Sequence, residues 1–189
     1  ATSGSAEANY VSIMTLLNPG DELIYMVPNY LQIRGIARNI GVNIVKLPLR
    51  EELGWQWDIS ELESVISNKT KMIAICHPNN PTGSIVSEEN IRKIIDIASK
   101  NDCWILSDEV YRGAELNGVE SSSFYGSYEK TVVNAGLSKA YRLPGLRIGW
   151  TVGPKDYIKK AWAFHDYTSI SIAYPVSYTH LRAHETWSY

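Results

Sequence analysis

Lys139 stands among small and flexible residues in "GLSKAYRLPGLRIGW" (residues 136–150), and Arg147 opens the short apolar run behind it. A lysine amine can condense with an aldehyde and, once freed, act as a base. An arginine fork suits a phosphate or a carboxylate. Upstream, Asp108 in "SDEVYRG" offers a carboxylate, and Tyr111 in the same motif and Asn80 in "HPNNPTG" offer hydrogen-bond donors. The turn Gly4–Ser5–Ala6 opens a helical pattern whose first N–H groups suit an anion. Each has a plainer reading alone. A loop lysine is ordinarily solvated, Asp108 could cap a turn, and "NNPTG" is common turn punctuation. One task needs all of them together: an amine for an aldehyde, a helix N-terminus and a cationic fork for a phosphate, a carboxylate for a ring nitrogen, and donors for a phenolic oxygen.

Short apolar runs alternate with amphipathic stretches along the chain. Residues 5–17 read as a helix stopped by Asn18-Pro19-Gly20. "ELIYMV" (22–27) reads as a strand and residues 30–40 as a helix ended by Gly41. "NIVKLPL" (43–49) is a strand placed near a sheet edge by Pro48. Asp58 starts a short helix to residue 66, and "KMIAICH" (71–77) is a buried-looking strand. Residues 87–101 form the clearest amphipathic helix, with Ser87 as its N-cap. Residues 103–110, 131–137 and 147–153 read as three more strands, and Pro154 starts a last helix to about residue 167. This alternation predicts an α/β fold, a three-layer αβα arrangement around a mostly parallel sheet. Ligands of such sheets bind beyond the carboxyl ends of the strands. "PNNPTG", "SDEVYRG" and "LSKAYRLPG" each follow a strand, so they are expected to converge on one site.

Several function classes are disfavoured. The chain has 189 residues, 18 Lys and Arg against 20 Asp and Glu, and a net charge of −2 without a basic cluster, which argues against nucleic acid as a partner. No apolar run approaches the roughly 20 residues of a membrane span, and no signal-peptide pattern opens the chain. The cytoplasm is therefore the default location. Cys76 and Cys103 lie in apolar runs and read as buried thiols rather than a bridge or a metal pair. His77 reads as a strand-end hydrogen-bonder, and Trp55 and Trp57 as packing residues. No G-x-G-x-x-G follows the first strand, which disfavours a nicotinamide-binding dehydrogenase. Residues 176–189, "VSYTHLRAHETWSY", hold two of the four histidines and no clean apolar period. They read as a non-native tail, so the spacing of His180 and His184 is not taken as a metal site.

The shared task is the binding of pyridoxal 5′-phosphate, and here the resemblance becomes specific. "TSGSAEAN", "NPGDELIYMVPNY", "HPNNPTG", "SDEVYRG" and "LSKAYRLPGLRIGW" run in the order found in the class I/II aminotransferases, the fold-type I pyridoxal-phosphate enzymes. Over residues 2 to about 165 the chain resembles their large, cofactor-binding domain, so residues 1–175 are expected to form part of it, with the small C-terminal domain absent. The resemblance implies that Lys139 holds the cofactor as a Schiff base and takes the substrate α-proton, and that Asp108 pairs with the pyridinium nitrogen. It assigns Asn80 and Tyr111 to the phenolic oxygen, and places Tyr30 as a ring stacked on the cofactor. Gly4, Ser5 and Ala6, Arg147 and Ser138 would surround the phosphate. Many members carry a hydroxyl residue where this chain has Gly136, so one phosphate contact is expected to be missing. An amino acid and a 2-oxo acid are the implied substrates, and a homodimer the implied assembly of the full-length protein. Two alternatives share the motifs: a carbon–sulfur lyase on the same fold, and a non-catalytic sensory module of a transcription regulator.

Overall fold

The computed structural model describes residues 1–172, and the expected tail at 176–189 lies outside them. Eight strands form one sheet. They are β1 (Thr2–Ser3), β2 (Glu22–Val27), β3 (Asn43–Arg50), β4 (Gln56–Trp57), β5 (Thr70–Cys76), β6 (Trp104–Asp108), β7 (Thr131–Gly136) and β8 (Ile148–Val152). Their order across the sheet is β1-β8-β7-β6-β5-β2-β3-β4. The central run β7-β6-β5-β2-β3 is parallel throughout. Both flanks turn antiparallel, at β3-β4 on one side and at β7-β8 and β8-β1 on the other.

Five helices cover the two faces: α1 (Ser5–Leu16), α2 (Gln32–Asn39), α3 (Ile59–Val65), α4 (Glu88–Lys100) and α5 (Lys155–His165). The central strands are apolar at successive positions because side chains alternate between faces and both faces are buried. Ile24, Met26, Ile73, Ile75 and Ile105 pack with Leu62 of α3 and Ile91, Ile94 and Ile97 of α4. Leu23, Tyr25, Met72, Ala74 and Leu106 point the other way, against Val11 and Ile13 of α1, Ile33 and Ala37 of α2, and Tyr157 and Ala161 of α5. The expected three-layer αβα architecture is therefore present.

Local signals hold where a side chain enforces them. The Ser87 Oγ accepts the Asn90 N–H at the start of α4, and Asp58 accepts the Ser60 N–H at the start of α3. Helix α2 begins at Gln32, two residues later than the sequence suggests, and the Tyr30 carbonyl just ahead of it accepts the Tyr25 hydroxyl. The two cysteines are free and buried as expected, and burial pushes the Cys103 thiol up to about 11. His77 caps its strand as expected. Its Nδ1 accepts the Val86 N–H at 3.0 Å, so its Nε2 donates to the Ser122 carbonyl at 2.8 Å. Burial lowers its basicity further. Trp57 is a core residue and Trp55 packs beside it. Among the described residues no helix is long and apolar enough to cross a membrane, and no group of three or more His, Cys, Asp or Glu could hold a metal.

Candidate functional site

The loops after β5, β6 and β7 meet the N-terminus of α1 around a cavity of about 260 Å³. Ser5, Ala6, Tyr30, Asn80, Asp108, Tyr111, Ser138, Lys139 and Arg147 all line it. Gly4 does not line it, but it is the cap of α1 and lies under the Arg147 guanidinium. The sequence-predicted residues are thus brought to one place.

Each is set there by its element. Asp108 is the last residue of β6 and is buried. Its Oδ2 accepts the Asn9 side-chain amide at 2.8 Å, and its Oδ1 accepts the Val110 N–H at 3.2 Å. Burial pushes its pKa above the ordinary carboxylate range, and these two neutral donors oppose that shift. Glu109, next in sequence, points away as strand alternation requires. It accepts from the Phe124 N–H and from the Ser107 and Ser123 hydroxyls, and so pins the loop behind β6.

Asn80, from the loop after β5, donates to the Tyr111 hydroxyl at 3.1 Å. The Lys139 Nζ lies 5.9 Å from the centroid of the Tyr111 ring, within the range of a cation–π contact. Tyr30 is exposed on the cavity rim. Cys76, which the sequence gives no role, lines the cavity beside Asp108. Burial, with the Asp108 charge second, raises its pKa far above that of a free thiol, so it is an inert wall.

Arg147 follows a 3₁₀ turn (Pro144–Leu146) and adopts φ 50°, ψ 43°. A left-handed conformation is costly for a side chain this size and recurs where a site demands a direction. It aims the guanidinium back over α1, where Nη1 donates to the Ser138 Oγ at 3.2 Å and to the Pro144 carbonyl at 3.0 Å. Ser138 thus accepts a hydrogen bond from the Arg147 guanidinium. The α1 cap, Gly4, has φ +79° and no side-chain hydrogen bond, which leaves the first turn open to an outside acceptor.

The α1 entry is pressed onto β8. A Cβ built on Gly149 would lie 2.6 Å from the Gly4 carbonyl oxygen, and one on Gly136 would lie 2.9 Å from the Ile148 carbonyl oxygen. A side chain at 136 has no room in this packing. Gly149→Ala should displace the α1 entry and lower unfolding stability by about 1–3 kcal/mol, as overpacking does. Urea melts measure it, and an unchanged midpoint would show that the junction yields.

The donor set fits pyridoxal phosphate. A helix N-terminus and an arginine suit its phosphate. A buried carboxylate whose hydrogen-bond donors are neutral lacks the cation that a protonated ring nitrogen would supply. A hydrogen-bonded Asn–Tyr pair suits its phenolic oxygen, and a primary amine its aldehyde.

The family model for aminotransferase class I and II matches residues 1–182. The chain is 34% identical over 193 residues to an aspartate aminotransferase of Pyrococcus horikoshii, covering 98% of this chain and 49% of that protein. It is 33% identical over 157 residues to an aspartate aminotransferase of Musicola paradisiaca, covering 82% and 39%. Among solved structures, a PLP-dependent aminotransferase from Streptococcus suis superposes with a TM-score of 0.89 at 34% identity, covering 94% of this chain and 47% of that one. Aspartate aminotransferase from Thermus thermophilus with maleate gives 0.90 at 28% identity, covering 96% and 48%. This chain belongs to the class I and II aminotransferases. It spans about half the length of the relatives it matches, or less.

Proposed function

We propose that this chain carries the pyridoxal-phosphate-binding half of an aminotransferase that moves an amino group between an amino acid and a 2-oxo acid. The observation that carries the reading is the convergence of Lys139, Asp108, Arg147 and the Asn80–Tyr111 pair on one cavity at the N-terminus of α1. The cofactor, when bound, supplies an aldehyde and a conjugated ring able to accept the electron pair left when a substrate α-proton departs.

The chain's own residues do the rest. The Ser5 and Ala6 N–H groups and the Arg147 guanidinium hold a phosphate, and Ser138 keeps that guanidinium turned toward it. Asp108 would hold a proton on the ring nitrogen. Asn80 and Tyr111 would hydrogen-bond the phenolic oxygen, and Tyr30 would cover the ring. The Lys139 Nζ would supply the amine that holds the aldehyde, and as a free amine it would be the group able to move a substrate α-proton. The whole protein is expected to work as a cytoplasmic homodimer. No observation in the structure favours the lyase or the sensory-module alternative.

The direct test is borohydride reduction of the protein mixed with pyridoxal phosphate, followed by peptide mass analysis. A phosphopyridoxyl adduct on the Lys139 peptide, absent in Lys139→Ala, is expected. An adduct spread over several lysines, with none at Lys139, would sink the reading.

A further inference from the structure

Asp108 depends on a residue that no motif reading singled out. Asn9, on the second turn of α1, is 1% exposed and carries both halves of its amide in use. Its Nδ2 donates to Asp108 Oδ2 at 2.8 Å and lies 3.4 Å from Gln32 Oε1. Its Oδ1 accepts from Asn134 Nδ2 at 2.9 Å. Asn134 stands directly opposite Asp108 in the β6-β7 register and is fully buried. We propose that Asn9 is a positioning residue for Asp108: clamped from behind by Asn134, it presents a fixed N–H that turns the carboxylate toward the cavity as an acceptor for a protonated ring nitrogen. This rests on the pyridoxal-phosphate reading of the site.

The direction of the Asn9 amide follows from the groups behind it. Ser12 donates to the Ala8 carbonyl at 2.8 Å and lies nearer Asn134 Nδ2, at 3.0 Å, than Asn134 Oδ1, at 3.4 Å; with its proton so placed, its Oγ is an acceptor for Asn134 Nδ2 and for the Tyr157 hydroxyl at 2.8 Å. Tyr157 in turn accepts from Thr151 at 2.8 Å. With Asn134 Nδ2 facing Ser12, the same amide nitrogen faces Asn9, and Asn9 must meet it with oxygen. The remaining half of the Asn9 amide, its N–H₂, is then aimed at Asp108. Turning Asn9 over would set oxygen against carboxylate and nitrogen against nitrogen. In a buried network such a mismatch costs more than the bonds it replaces.

An N–H aimed at a carboxylate favours its charged form, and a bond to a charged group is worth more than one between neutral groups. Burial opposes that charge at Asp108, and among the described residues the only other donor to it is the Val110 N–H. Loss of Asn9 should therefore weaken the hold on a ligand whose ring nitrogen is protonated. It should leave the hold on phosphate, phenol and aldehyde as it was.

Two ligands separate these effects. One is pyridoxal phosphate, and the other is its carbocyclic analogue with a ring C–H in place of the nitrogen. Both carry the aldehyde, the phosphate and the phenol. Dissociation constants for both, from absorbance titration of the chain, give a preference ratio for wild type, Asn9→Ala and the volume-filling Asn9→Leu. The preference for pyridoxal phosphate is expected to fall about tenfold in both variants, the loss of one hydrogen bond to a charged group. Each variant is its own control, because a general loosening of the fold weakens both ligands alike. A preference that falls less than about threefold overturns the proposal, whether the two affinities drop together or neither moves. Failure of the cofactor reading looks different: wild type itself would then bind neither ligand through a reducible bond at Lys139, and the proposal would fall with it.

Discussion

Lys139→Ala in the full-length protein should, on the proposed function, lower transamination by about four orders of magnitude or more, measured as oxo acid released from an amino donor. The size follows from the two tasks that converge on one atom. General-base catalysis alone contributes up to roughly 10⁴-fold, and the same Nζ is the only amine lining the cavity among the described residues. Its neighbours cannot substitute. The Tyr111 hydroxyl is engaged by Asn80 at 3.1 Å, and Cys76, held as a thiol by burial, is a poor base. Arg147 does not deprotonate in proteins. The variant should still bind the cofactor reversibly through the phosphate cradle. Turnover within tenfold of wild type would remove Lys139 from the mechanism.

Asp108→Ala should cut turnover by about 10²–10³-fold while leaving weakened cofactor binding, the scale found when one preorganised electrostatic partner is removed. The shape-preserving Asp108→Asn separates charge from packing. It keeps the side-chain volume but cannot hold the ring proton as a carboxylate does, so its loss of turnover should match that of alanine. Its melting temperature should fall, because the new amide nitrogen must face either the Asn9 amide or the Val110 N–H, donor against donor in a buried place. Turnover fully retained in Asp108→Asn would show that the charge does no chemical work.

Much of this site is legible in the sequence because its residues sit where strands end. "KMIAICH", "CWILSDEV" and "TVVNAGL" announce themselves as strands by composition. The polar clusters that follow them must then gather on one edge of a parallel sheet. Strand direction is less legible, since an apolar run reads the same whichever way it crosses the sheet. Thus "RIGWTVG" is visible as a strand, but its antiparallel place between β7 and β1 is not. The two-residue strands β1 and β4 carry too little pattern to register. Asn9 is invisible for another reason: its partners Asp108 and Asn134 are far away in sequence, and only folding brings them together. Asn134 left a trace, a polar amide inside the apolar run "TVVNAG", and a buried amide in such a place ordinarily has a partner to satisfy.

The pairing of β1 with β8 sets a timetable for synthesis. Thr2 and Ser3 pair with Gly149 and Ile148, and the Arg147 that completes the cradle over Gly4 arrives in the same segment. While the chain emerges from the ribosome, α1 is made well before β8, and its anion-binding end then waits for most of the described sequence to appear. Closing so long a loop is slow, and contacts of this span form late. A nascent chain is therefore expected to gain affinity for the cofactor late and abruptly, once β8 has cleared the exit tunnel, rather than by degrees as the sheet grows.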